Sequence, residues 1–250
     1  MKLGKVKKQD DLVRLRQVGK GIACIEMLDS AGKNAFTAEF VGALLAALEE
    51  THADPECAAV ILSGTEDFFC SGAARQLLLD LKNARIAPAE LVLSERLLRH
   101  SSVIIAAAAG TAIGGGFALV VASDMAVIAE ESRYGFNFMR HGITPGMGVT
   151  RLAEDYLGRP FAHRLLYSGD IPKGSAYRQC PIEVVSKSAV LDRCYELAYA
   201  VAANPARNVA LLKRTLAYPR LKACQEASLL ESLMHETSLQ TLDLEGWSEE

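Results

Sequence analysis

Apolar positions along the chain switch between two spacings. Residues 12–17 alternate apolar and polar, and 22–28 form a denser apolar run, with Gly19, Lys20 and Gly21 between them. That pattern predicts an opening hairpin, because alternation marks a half-buried strand and closely spaced glycines mark a turn. Thr37 then precedes 38–50, where apolar residues recur at helical spacing; threonine is a good N-cap. Short apolar runs at 58–62, 103–108 and 125–129 predict buried strands, with helices at 91–100 and 114–122. The stretch 74–90 reads as a loop. Beyond residue 150 the helical spacing dominates. Helices are predicted at 159–168, 190–203, 205–217 and 221–241, with one strand at 182–185 and a frayed acidic tail at 245–250. Repeated β–α alternation predicts an α/β fold. Its core occupies 1–170 and its helical region 171–250.

A chain of 250 residues can bury a sizeable core without disulfides. Half of it is apolar, 23% is charged and the net charge is −3. This balance argues against nucleic acid or an acidic membrane surface as a partner. No apolar run approaches a membrane span, and the polar start MKLGKVKKQD lacks the core of a secretory signal. A cytoplasmic location is expected. The cysteines, Cys24, Cys57, Cys70, Cys180, Cys194 and Cys224, are scattered without a CxxC pair. They read as reduced thiols, and no metal site is expected.

Two segments can carry chemistry. Phe68 to Ala73 (FFCSGA) follows the strand at 58–62, and Ala109 to Gly116 (AGTAIGGG) follows the strand at 103–108. Each places small residues where the chain leaves a strand. Three glycines opening a helix leave backbone N–H groups unpaired and admit a ligand closely. Such donors suit a carbonyl oxygen that gains negative charge during a reaction. A dinucleotide-binding GxGxxG is absent, and no GK[ST] follows to make a phosphate loop.

Together these segments resemble the crotonase (enoyl-CoA hydratase/isomerase) superfamily. Phe69-x-x-Gly72-Ala73 is similar to its first oxyanion segment, and Gly110-x-x-x-Gly114-Gly115-Gly116 to its second. Ser123-Asp124, Tyr134-Gly135 and the stretch from Gly142 to Leu152 (GITPGMGVTRL) resemble later family motifs. The resemblance implies a crotonase-type spiral of ββα units with a helical C-terminal region serving trimerisation or as a lid. It implies an oxyanion hole made by the N–H groups of Ala73 and Gly115, a homotrimer, and no cofactor.

Hydratases of the family carry two glutamates. The matching positions here hold Ala118 and Phe138, which cannot move a proton; addition of water needs a positioned acid and base. Both residues are expected to line the substrate pocket instead. An oxyanion hole without those carboxylates can still stabilise an enolate released by loss of CO2. The stretch GITPGMGVT and the late Met234-His235-Glu236 resemble the decarboxylating homologues of polyketide β-branching cassettes. The resemblance implies a 3-methylglutaconyl-type group, carried on the phosphopantetheine of an acyl carrier protein or on CoA, and a 3-methylcrotonyl-type product. It implies Lys82 and His235 as the catalytic pair. Arg75 and Arg85 stay open as the loop cation, and His141 is the next histidine in rank. Cys70 reads as a buried thiol. Isomerisation or thioester hydrolysis, with His235 or Asp80, and a non-catalytic binding subunit remain alternatives.

Overall fold

The computed structural model describes residues 12–86 and 93–241. The polar start and the acidic tail lie outside these residues. The chain opens with a hairpin, β1 (Val13–Gly19) and β2 (Ile22–Met27), in antiparallel register with Arg14 opposite Glu26. Helix α1 (Ala38–Ala53) follows, and Thr37 caps it by accepting from the N–H of Phe40.

Three strand pairs then repeat one step: β3 (Ala59–Ser63) with β4 (Phe68–Cys70), β5 (Val103–Ala108) with β6 (Thr111–Ile113), and β7 (Met125–Ala129) with β8 (Tyr134–Gly135). The first member of each joins a six-stranded sheet, ordered β1-β2-β3-β5-β7-β9. The second joins a three-stranded sheet, ordered β4-β6-β8. After β2 every pairing is parallel. Each pair is one turn of a spiral, so the expected α/β architecture of ββα units is borne out. Strand β9 (Glu183–Val185) completes the large sheet from beyond residue 170, where the core was expected to end.

The strands read as apolar runs because both faces of the large sheet are covered. Ile104, Ala106 and Ala108 of β5 face the main core; Val103, Ile105 and Ala107 face Val190, Cys194 and Ala198 of the helix α7 (Val190–Ala202). Between the strands run α2 (Arg75–Lys82), α3 (Leu93–Arg99) and α4 (Gly115–Ala122). Every residue of α4 is buried. Helices α5 (Val149–Leu157) and α6 (Arg159–Ser168) then lead to β9 and α7.

Three expectations are corrected. Residues 75–82, read as part of a loop, are helical, because Leu78 and Leu81 share a face that docks on Ile143 and Leu239. Residues 149–157, given no element in the sequence, form α5. The two helices expected on either side of Pro219 are one, α8 (Ala206–Ser238). Proline removes one helical hydrogen bond, but contacts on both sides hold the helix to the core. Lys213 Nζ donates to Leu97 O, Ser102 O and Asp124 Oδ2 at 2.7–2.9 Å. Arg220 donates to Val121 O and Ser123 O.

Candidate active site

Strands β4 and β6 run parallel, so the two glycine-rich segments leave the small sheet at the same edge. Phe36 pairs with the first. Its N–H donates to Gly72 O at 2.7 Å, and the Ala74 N–H donates to Phe36 O at 3.2 Å. In such a parallel bridge the N–H of the intervening residue points away from the partner. The N–H of Ala73 therefore has no acceptor among the described residues. Gly115 is the first residue of α4, and a first-turn N–H has no partner in its own helix. The glycines let the segments touch. Gly72 has φ +85°, and a Cβ on it would stand 2.8 Å from Ile113 O and 3.0 Å from Gly115 N. A Cβ on Gly116 would stand 2.0 Å from Cys70 O.

These two backbone donors border a small cavity of about 70 Å³. Leu78 and Leu81 of α2, Phe138, Ile143 and Met147 supply an apolar wall; Ser71, Asn137, His141 and His235 supply polar atoms. Asn137 Nδ2 donates to His141 Nε2 at 3.0 Å, which places the proton of a neutral His141 on Nδ1. Among the described residues no cluster of three or more metal-ligating side chains exists.

His235 reaches the cavity from the last turns of α8. It is buried, its Nε2–H donates to Thr144 O at 2.8 Å, and its Nδ1 has no partner among the described residues. Burial lowers its pKa below the ordinary imidazole value, with the Thr144 bond pulling the other way. The ring is thus neutral near pH 7, with Nδ1 free to accept.

The sequence matches the enoyl-CoA hydratase/isomerase family over residues 17–249. The chain belongs to this family. It is 32% identical to the bacillaene synthase decarboxylase PksI of Bacillus subtilis, over 90% of this chain and 91% of that protein. A solved structure from a dehydratase/decarboxylase enzyme couple involved in polyketide β-branching superposes with a TM-score of 0.89 at 31% identity, covering 94% of this chain and all of the other. The ECH2 decarboxylase domain of CurF from Lyngbya majuscula superposes with a TM-score of 0.86 at 29% identity, covering 92% and 95%. The expected resemblance to decarboxylating members of the family is borne out.

Within this family fold, the structure brings Ala73, Gly115, Phe138 and His235 to one cavity. Phe138 is half-buried and stacks on Phe136 with ring centroids 6.4 Å apart. Two other expected residues stand elsewhere. Ala118 is fully buried in the main core, its N–H bonded to Gly114 O, and it is not part of the cavity wall. Lys82 is exposed on the last turn of α2, one turn beyond Leu78, and the wall there is formed by Leu78 and Leu81. Arg75 and Arg85 are exposed too, and Arg85 pairs with Asp80 at 3.1 Å. Cys70 is sealed in the core, and burial pushes its thiol up to about 12.

Ser71, Asn137 and Met147 were not singled out from the sequence. Ser71 lies inside the first glycine-rich segment and was legible by position. Asn137 and Met147 come together with Ala73 and Gly115 only through the fold.

Proposed function

We propose that this chain is a carbon–carbon lyase that decarboxylates an unsaturated acyl-thioester diacid, of 3-methylglutaconyl type, to a 3-methylcrotonyl-type product. The observation that carries this reading is that Ala73 and Gly115, whose N–H groups we read as the oxyanion hole, border one cavity with Phe138 and His235, while the two acid–base positions of a hydratase hold Phe138 in the cavity wall and Ala118 in the core behind it. Neither side chain at those two positions can carry the protons of hydration, whereas loss of CO2 needs an electron sink and one proton for the product. The kinship with decarboxylases supports the same choice.

The steps follow from the groups present. The thioester carbonyl accepts from Ala73 N–H and Gly115 N–H. The distal C–C bond breaks, CO2 leaves, and its electron pair delocalises onto the thioester oxygen as a dienolate. Donors aimed at that oxygen gain strength as the charge develops. His235 is neutral in the empty cavity, but a substrate carboxylate beside it favours its charged form. The imidazolium then holds the carboxylate through Nδ1–H. When CO2 departs, that support vanishes, and burial drives the proton off the ring to the dienolate carbon. Lys82, exposed at the end of α2 and next in sequence to Leu81 of the wall, is proposed to steer the incoming carboxylate and hold it out of the conjugated plane.

A carrier-bound substrate fits a small cavity reached by a thin arm, so the proposed donor is acyl carrier protein or CoA. The proposed assembly is a homotrimer, supported by Leu212, Leu216, Leu229, Leu230 and Leu233 on α8, each more than half exposed; such an apolar stripe marks an interaction surface. Six buried free thiols suit a reducing, cytoplasmic setting.

The test is mass spectrometry of carrier protein loaded with a 3-methylglutaconyl group after incubation with the enzyme. Loss of the mass of CO2 is expected. Gain or loss of the mass of water would overturn the assignment.

A further inference from the structure

His235 does not hold its orientation alone. The acceptor of its Nε2–H is the carbonyl of Thr144, and Thr144 begins the turn 144–150, whose residues Gly146 and Met147 line the cavity. That turn is demanding. Met147 and Gly148 are both left-handed, with φ +64° and +78°; a methionine there is disfavoured by its Cβ. A restraint on the turn is therefore required.

Glu231 supplies it. It sits one helical turn before His235 on α8 and is 1% exposed. Its Oε2 accepts from Gly148 N–H at 2.7 Å, and its Oε1 accepts from Thr150 N–H at 3.0 Å and from Thr150 Oγ1–H at 2.7 Å. Gly148 is the N-cap of α5, so the carboxylate stands at a helix N-terminus, where negative charge is favoured. Three donors meet two oxygens. A protonated acid or an amide would turn a donor toward donors. Ser238 completes the face, its hydroxyl 3.0 Å from Thr144 Oγ1. Glu231, His235 and Ser238 follow at i, i+4 and i+7, so one stripe of α8 grips both ends of the turn.

We propose that Glu231 is a positioning residue of the active site. It clamps Gly148 and Thr150, fixes the turn 144–150, and so fixes the Thr144 carbonyl that locks His235 as its Nε2–H tautomer and leaves the buried Nδ1 as the nitrogen without a partner among the described residues. The same clamp seats Met147, whose Sδ would lie 3.1 Å from a Cβ on Gly115, against the oxyanion hole. The proposal rests on the reading of His235 as the active imidazole. A carboxylate that merely capped α5 would stabilise the protein without governing His235.

The experiment compares the full chain with Glu231→Gln, which keeps the size of the side chain. Nitrogen NMR of the His235 ring at pH 7.5 should show one Nε2–H tautomer in the natural protein and tautomer averaging in the variant. With 3-methylglutaconyl-loaded carrier protein, kcat should fall on the order of 10–10²-fold, the cost of a displaced catalytic group, with KM changed far less. Glu231→Gln added to His235→Ala should slow the reaction no further than His235→Ala alone. An unchanged tautomer in folded Glu231→Gln, or losses that multiply in the double variant, would overturn the proposal. If Glu231→Gln does not fold, Thr150→Val removes only the hydroxyl donor to Oε1 and carries the same tautomer test in the same direction. If the natural protein releases no CO2, the proposed reaction fails, and the tautomer measurement still decides the role of Glu231.

Discussion

Phe36 and Gly115 meet so closely that a Cβ on Gly115 would stand 2.6 Å from Phe36 Cε2. Phe36 is also the residue whose backbone holds Ala73 in place. One aromatic residue thus sets the position of both proposed oxyanion donors, the first through its main chain and the second through its ring.

Gly115→Ala is therefore expected to keep the fold but displace the hole. Overpacking of this kind costs about 1–3 kcal/mol of stability. Decarboxylation should fall toward the ~10²–10³-fold cost of losing one oxyanion donor. Phe36→Leu in the same chain keeps the backbone contacts, frees the space and should restore part of the rate. Unimpaired turnover by Gly115→Ala, measured by release of CO2, would remove Gly115 from the hole.

The sequence made the strands at 103–108 and 125–129 legible with the bounds the structure has, because a strand buried on both faces is apolar throughout. It made the two glycine-rich segments that border the cavity legible because close backbone contact requires glycine, as Gly116 against Cys70 O shows. The strands of the small sheet are two or three residues long, too short for a periodic pattern. Helix α2 has only eight residues, and its N-cap Ala74 offers no capping side chain. The helix through Pro219 was hidden because its continuity comes from Lys213 and Arg220 reaching Asp124, Val121 and Ser123 across the fold. Glu231 was hidden for the same reason, since its donors lie about eighty positions earlier in the chain.

The charge state of His235 should be visible in the pH profile. Free enzyme holds this imidazole below its usual pKa by burial. The profile of kcat/KM reports free enzyme and that of kcat the complex. If the reactive complex carries His235 protonated beside the substrate carboxylate, both profiles fall as pH rises. The fall in kcat lies at higher pH, because the bound carboxylate raises the pKa. His235→Ala should lower the rate and erase both limbs. A kcat limb at lower pH than that of kcat/KM would contradict the assignment.

Lys82 is expected to act from the exposed end of α2, outside the cavity wall. Lys82→Ala should lower decarboxylation at least tenfold, the order of a lost charge contact in the transition state. Arg75→Ala and Arg85→Ala should leave it close to normal, since Arg85 is engaged with Asp80. Steady-state kinetics on carrier-bound substrate separates the three. A dominant loss in Arg75→Ala would move the role to that residue.

The exposed stripe of α8 should mediate assembly. Leu233→Glu places a charge among Leu229, Leu230 and Met234, all exposed. Sedimentation velocity should show a trimer for the natural protein and smaller species for the variant, because desolvating an unpaired carboxylate is costly. A natural protein that sediments as a monomer at micromolar concentration would rule the trimer out.

His100 predicts how stability responds to acid. It is buried away from the cavity between α1 and α3; its Nε2 lies 3.0 Å from Leu48 O, and its Nδ1 accepts from Ser102 N–H at 3.0 Å. Both nitrogens are thus committed to the neutral ring, and a second proton would have to sit against the Ser102 donor. Burial, with the Lys213 cation nearby, lowers its pKa from 6.5 to about 4. The unfolded chain then binds a proton that the folded chain refuses throughout the window from 6.5 down to about 4. Its contribution is complete above pH 6.5 and is lost as pH falls through that window, by about 3 kcal/mol in all. Denaturant unfolding at a series of pH values should show this slope in the natural protein. It should be shallower in His100→Gln, a neutral side chain that can keep one of the two hydrogen bonds. Comparing the two proteins cancels the other titrating groups, including Glu231, whose pKa burial raises and whose contribution runs in the opposite sense. Equal slopes in the two proteins would show that His100 is protonated as readily folded as unfolded.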